Sequence, residues 1–275
     1  MALAFDAVGP SSAGATSAAS TTLTFAHVIT GASTVLIAGI AVDASSDGAL
    51  ACTATYNSVA MTSLKKWHSG GAAQSAGFLE VFGIIAAAGA SHNVAATVTG
   101  GTPAHMSGGS LSFTGAGQTT GAAFGTPVTG DSNGASVTTS TAAMASNTSG
   151  NIIAGFTSSG TSIASATSPS ASRFILSQAG TGAAGSCAGA TSPSTGSSVT
   201  MAWTQGSDFF AEILVEILAA ASGTPAGLAS GTGTALNASI VTSTINVGPR
   251  YAGTGTDLGG GQGAWNTPSL ATGGP

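Results

Sequence analysis

The sequence predicts an all-β fold, a sandwich or barrel, from three observations. Short apolar or alternating segments recur along the chain at intervals of about 8 to 20 residues. Gly, Ser and Asn punctuate them, supplying turn conformations that other residues adopt only with strain. Glu and Lys, which fill the exposed faces of helices, are nearly missing.

The elements follow in order. Thr21 to Ile29 alternates, with Leu23 and Phe25 on one face. Val35 to Val42 (VLIAGIAV) is a continuous apolar run, short enough for a strand buried on both faces. Thr53 to Leu64 (TATYNSVAMTSL) reads as two short strands around Asn57-Ser58, because Asn tolerates a positive φ. Phe78 to Ile85 and Val94 to Thr99 continue the pattern. Later strands are expected at Ser110 to Thr114, Ala135 to Thr139, Asn151 to Thr157, Arg173 to Ser177 and Ser198 to Thr204. Phe209 to Leu218 (FFAEILVEIL) fits a helix by its four-residue spacing, but its β-branched residues favour a strand. On that strand Glu212 and Glu216 would both point outward as solubilising charges, about 13 Å apart at 3.3 Å per residue. That separation exceeds what a glycosidase carboxylate pair needs.

Composition bounds the size of the core. Roughly three-fifths of the 275 residues are Gly, Ala, Ser or Thr. Nearly half of the hydrophobic 43% is Ala, which leaves apolar bulk for one domain of about 200 residues and not for two. A sandwich domain is expected over residues 1–221. Residues 222–275 carry few large apolar side chains and repeat weakly, GTGTAL at Gly231–Leu236 and GTGTDL at Gly253–Leu258. Such a segment cannot offset its own ordering entropy of about 1–2 kcal/mol per residue. It is expected to be an extended low-complexity arm, held in place by its own domain or by neighbouring subunits over which it drapes.

Charge excludes several functions. Lys65, Lys66, Arg173 and Arg250 are the only fixed cations, against nine carboxylates, so nucleic acid and anionic lipid are not expected partners. No apolar window is long enough to span a membrane, and the first twenty residues lack a basic, then apolar, export signal. Cys52 and Cys187 make no disulfide framework and read as free thiols.

The chemistry-bearing residues are sparse. His27, His68, His92 and His105 stand singly, with no local metal-ligand spacing. Gly115-Ala116-Gly117 with Gly121 misses the dinucleotide spacing, and no nucleophile elbow occurs. Asp43 and Asp47 share a loop but lack the further oxygen ligands calcium needs. No cofactor, metal or catalytic residue is therefore expected; a hydrogen-bonded His–carboxylate pair in a pocket would speak for an enzyme. Alternating threonines (Thr22/Thr24, Thr53/Thr55, Thr97/Thr99) read as outward faces of a sandwich, too few and too irregular for an ice-binding array. Trp203 alternates with Met201 and Val199 and belongs to the core. Trp67, beside Lys65, Lys66 and His68, is the candidate surface aromatic for stacking on a sugar. Trp265, with Tyr251 and Leu258, supplies candidate interface anchors in the arm, aromatic bulk without a local partner.

These segments resemble a β-sandwich domain found in structural proteins of tailed bacteriophages, especially those of actinobacteria. The matching pieces are AFDAV (Ala4–Val8), TLTFAHVI (Thr22–Ile29), VLIAGIAVD (Val35–Asp43), TYNSVAMTSL (Thr55–Leu64) and LEVFGIIAAAGASHNVAATVTG (Leu79–Gly100). They continue with SLSFTGAGQTT (Ser110–Thr120), GNIIAGF (Gly150–Phe156) and AWTQ…AEILVEI through Ile217, covering roughly residues 4–218. The resemblance implies a jelly-roll-like antiparallel sandwich serving as a building block of the virion and no enzyme. A capsid decoration or minor capsid protein on the head is expected first, and a minor tail or tail-fibre protein next. Its partners would be copies of itself, as a trimer or around capsid symmetry axes, and the major capsid protein. A carbohydrate-binding adhesin module that takes a host glycan is the expectation from a different class.

Overall fold

A computed structural model describes residues 2–71, 77–86, 90–167, 170–178 and 184–221. The expected arm, with Tyr251, Leu258 and Trp265, lies outside the described residues. The described residues are nearly all β as expected, and every strand pair among them is antiparallel. One compact unit comprises Met1–Ala220.

The first half builds two sheets. The inner one contains β1 (Ala4–Gly9), β4 (Thr34–Asp43), β7 (Thr62–His68), β8 (Phe78–Ala86) and β10 (His105–Thr114), in the order β1-β10-β4-β8-β7, with β2 (Ala15–Ala18) also paired to β10. The outer one contains β3 (Thr22–Ile29), β5 (Ala51–Tyr56), β6 (Val59–Ala60) and β9 (Ala90–Thr99), in the order β3-β9-β5-β6. After a short helix α1 (Thr120–Ala123), the second half does the same. Its inner sheet runs β11-β18-β13-β16-β15, from β11 (Val128–Asp131), β13 (Ile152–Ser159), β15 (Ala171–Leu176), β16 (Ser186–Pro193) and β18 (Phe210–Ile217). Its outer sheet runs β12-β17-β14, from β12 (Val137–Met144), β14 (Ile163–Ala166) and β17 (Val199–Asp208).

The two halves share one topology. With β2 and β6 set aside, each has eight strands. The inner sheet is ordered first, eighth, third, sixth, fifth, and the outer sheet second, seventh, fourth. The sequence predicts one sandwich, and the structure contains two stacked sandwiches of matching strand order. Three apolar clusters place the four sheets as layers. The first joins the β3 sheet to one face of the β4 sheet through Leu23, Phe25, Leu36, Ile40, Phe82 and Val94. The second joins the other face of the β4 sheet to the β13 sheet through Ile37, Val81, Phe113, Phe156, Phe174 and Ile213. The third joins the β13 sheet to the outermost β17 sheet through Ile153, Leu214, Met201 and Trp203.

Notches explain how so little apolar bulk fills three clusters. A Cβ on Gly39 of β4 would lie 2.3 Å from the Phe156 ring of β13. Cβ atoms on Gly109 and Gly189 would lie 2.8 and 2.4 Å from the Phe174 ring. Each aromatic ring fills the space a glycine leaves, so large and small residues interlock across the facing sheets. The β4 strand is buried at every position, as its apolar run predicts. Asn57 and Ser58 take φ values of 51° and 64° between β5 and β6, the left-handed pair of a tight hairpin turn. Trp203 is fully buried, and Cys52 and Cys187 are free and buried.

One expectation is corrected. Phe210–Ile217 is a strand, but Glu212 and Glu216 do not face solvent; both are buried, Glu212 completely. The outward face predicted for β18 is covered by the β12–β17–β14 sheet, so both its faces lie inside. Glu216 is satisfied there by the Thr148 amide at 2.6 Å, the Asn151 amide at 3.0 Å and the Ser194 hydroxyl at 3.4 Å. Neither Glu212 oxygen has a hydrogen-bond partner among the described residues. Burial pushes its pKa well above the ordinary carboxylate value, against the weaker pull of the Ala142 backbone and the Ser140 hydroxyl nearby.

Candidate functional site

The outer sheet of the first half positions the candidate site. Strand alternation sends Leu23, Phe25, Val94, Cys52 and Tyr56 inward, which leaves Thr22, Thr24, Asn93, Thr97, Thr53 and Thr55 outward. Register then aligns them: Thr22, Thr97 and Thr53 form one row across three strands, and Thr24, Ala95 and Thr55 the next. Ala26 lies opposite Asn93, and Val28 opposite Ser91. Among the described residues this outward face bears no charged side chain. The alternating threonines therefore have a common register that spacing alone did not reveal.

Below those rows the face dips into a concavity of about 400 Å³, lined by Thr24, Thr55, Asn57, Ser58, Ser91, His92, Asn93 and Ala95. The Asn57 amide donates to the Asn93 carbonyl at 3.1 Å, so the hairpin turn is fastened to β9 and its side chains are fixed beside Asn93. The His92 ring meets Tyr56 edge-on at 5.7 Å and 83°. Asn57 and Ser58 were expected only as a turn, and Ser91 and Asn93 had no part in the sequence-based expectations of a site. The usable signal was the Asn-Ser turn facing the Ser-His-Asn run of the paired strand.

The titratable groups are scattered and engaged elsewhere. His27 is buried, its Nδ1 2.8 Å from the Ser110 hydroxyl, and burial lowers its pKa from 6.5 to about 4, with Asp6 opposing. Burial also pushes the Asp6 carboxyl up, but hydrogen bonds from Thr30 and Ser112 outweigh it and hold the pKa below its usual value. A His–carboxylate pair exists at the end of β7, where His68 Nδ1 lies 2.7 Å from Asp47 Oδ2. The same oxygen accepts the Gly77 amide at 3.1 Å, which makes Asp47 a clasp for its loop. Neither residue lines the concavity described above or the second one of similar size beside Glu216. His105 Nδ1 lies 3.8 Å from Asp43. Among the described residues no three His, Cys, Asp or Glu side chains gather as a metal site would require.

Trp67 sits half-buried on β7, packed against the middle apolar cluster. Its Nε1 donates to Asp131 at 2.9 Å, and the Lys65 ammonium lies 5.0 Å from the ring centroid. The ring thus joins the two halves through β11. Trp67→Ala is expected to destabilise the protein by about 2 kcal/mol, seen as a lower urea midpoint at unchanged slope. An unchanged midpoint would mean that the ring contributes no packing.

No helix among the described residues is long and apolar enough to cross a membrane. Compared with protein family models, curated proteins and solved structures, the chain matches none.

Proposed function

We propose that this chain is a structural protein of a tailed-bacteriophage particle, a decoration or minor capsid protein seated on the head surface. Support comes from the segments that resemble virion sandwich domains, most of whose described residues fall on strands. The observation that carries the reading is the pair of outermost faces. On the second half, Thr139 faces Thr204, Thr141 faces Ala202 and Ala143 faces Thr200, repeating the neutral threonine-and-alanine composition of the β3–β9–β5 face. A neutral face has little charge to desolvate when a neighbour covers it. The stack offers such a face at each end, which suits a building block that contacts neighbours on two sides.

Each half is read as a jelly-roll-like unit. The first, eighth, third, sixth order of the inner sheet and the second, seventh, fourth order of the outer one are the orders of that fold, with the fifth strand kept on the inner sheet. In this reading residues 222–275 act as an arm, with Tyr251, Leu258 and Trp265 as its anchors on neighbours. Many weak contacts then add at high effective concentration.

Co-sedimentation with particles lacking the protein tests this. The full chain is expected to pellet with them, and a chain ending at Ala221 to remain folded but largely in the supernatant. Equal binding of both would remove the arm from the mechanism, and binding of neither would overturn the building-block reading.

A further inference from the structure

We propose that the concavity on the β3–β9–β5 face is a binding site for a neutral glycan, one or two sugar residues of an uncharged oligosaccharide. Three features of the site point to that ligand chemistry. The first is unspent hydrogen-bonding capacity. The side chains of Thr24, Asn57, Ser58, Ser91 and Asn93 line the concavity and make no hydrogen bond within the described protein. Some polar residues elsewhere are engaged: Asn147 accepts the Thr195 and Gly196 amides at 2.9 Å, and the Ser17 hydroxyl donates to the Thr22 carbonyl at 2.9 Å. Two carboxamides and three hydroxyls offer donors and acceptors side by side, which matches the vicinal hydroxyls of a sugar, each a donor and an acceptor.

The second feature is charge. The face carries neither the cations that a phosphate or sulfate group needs nor the carboxylates that a basic ligand needs. A neutral polyol incurs no ionic desolvation on this surface, whereas a charged ligand would lose hydration without a counter-ion. The third is apolar surface next to the polar groups. Val28 is 47% exposed, one of two large apolar side chains so exposed among the described residues, and it lies directly across from Ser91. His92 also borders the concavity, with its ring against the inward-facing Tyr56. A pyranose presents a C–H face beside its hydroxyl edge, and both need cover.

The site is also rigid. Its side chains stand on three paired strands and on a turn fastened by the Asn57–Asn93 backbone bond, so little conformational freedom is lost on binding. This site differs from Trp67, whose ring is already packed and bonded.

Titration of the full-length protein with cellotetraose, mannotetraose and chitotetraose, followed by calorimetry, tests the assignment. Saturable binding of at least one is expected, weakened about tenfold or more by Asn93→Lys and unchanged by Thr200→Lys on the opposite outer face. Both substitutions are at exposed strand positions, and circular dichroism checks that the fold persists. Absence of saturable binding to all three probes would overturn the proposal. So would binding that survives Asn93→Lys, or that Thr200→Lys abolishes equally. A preference for sulfated or sialylated oligosaccharides would overturn it too, because the face offers them no cation.

Discussion

Gly39→Ala is expected to destabilise the protein by about 3 kcal/mol, lowering its thermal midpoint by roughly 9 °C. Gly39 lies in the middle of β4, paired to Gly109 on β10 and Val81 on β8. The Cβ that alanine adds would sit 2.3 and 2.6 Å from Cδ1 and Cγ of Phe156, the root of the ring rather than a movable tip. Phe156 is itself fully buried and surrounded by the middle cluster, so relief requires the two inner sheets to separate. Gly48 is the control, because a Cβ there meets nothing within 4 Å. Gly48→Ala should leave the midpoint within about 0.5 kcal/mol of the parent. If Gly39→Ala were equally mild, the inner sheets would not meet at this notch.

A second large effect is the pH dependence of stability, which two buried groups pull in opposite directions. His27 has a pKa of about 4 in the fold against 6.5 when exposed, because burial disfavours its cation. Its contribution is complete above pH 6.5 and is lost as pH falls through 4, about 3 kcal/mol in all. Glu212 and Glu80 act in the other sense, since burial raises both pKa values. Their contribution is complete below 4.5 and declines as pH rises through their folded values, because the unfolded chain ionises first. His27→Gln should flatten the acid limb of the profile, and Glu212→Gln should raise stability at pH 8 while changing little at pH 4. A Glu212→Gln protein no more stable than the parent at pH 8 would mean that the carboxyl reaches water.

Much of the fold is legible where side chains alternate by size. TLTFAHVI and VTMAWTQ announce one buried face each, and VLIAGIAV announces two. The turn at Asn57-Ser58 follows from residue type alone. What stays hidden is burial achieved with small residues. The strand β16 (SCAGATSP) is buried at seven of its eight positions yet shows no apolar pattern, because Phe174 supplies the bulk that fills its face. Without β14 and β16, the second sandwich cannot be counted, and the repeated strand order passes unseen. Glu212 was misplaced for the same reason: alternation identifies two faces of a strand but does not reveal that a further sheet covers the second. The candidate site was half legible. Its threonines stand out in sequence, whereas the convergence of Asn57 with Ser91 and Asn93 depends on the pairing of β5 with β9.

Electron microscopy of particles purified from cells that express this chain tests the proposed assembly most directly. The expected result is density for the four-layered stack on the outside of the head, repeated around symmetry axes, with an outermost threonine face against a neighbouring subunit. Absence of the protein from the purified particles would contradict it.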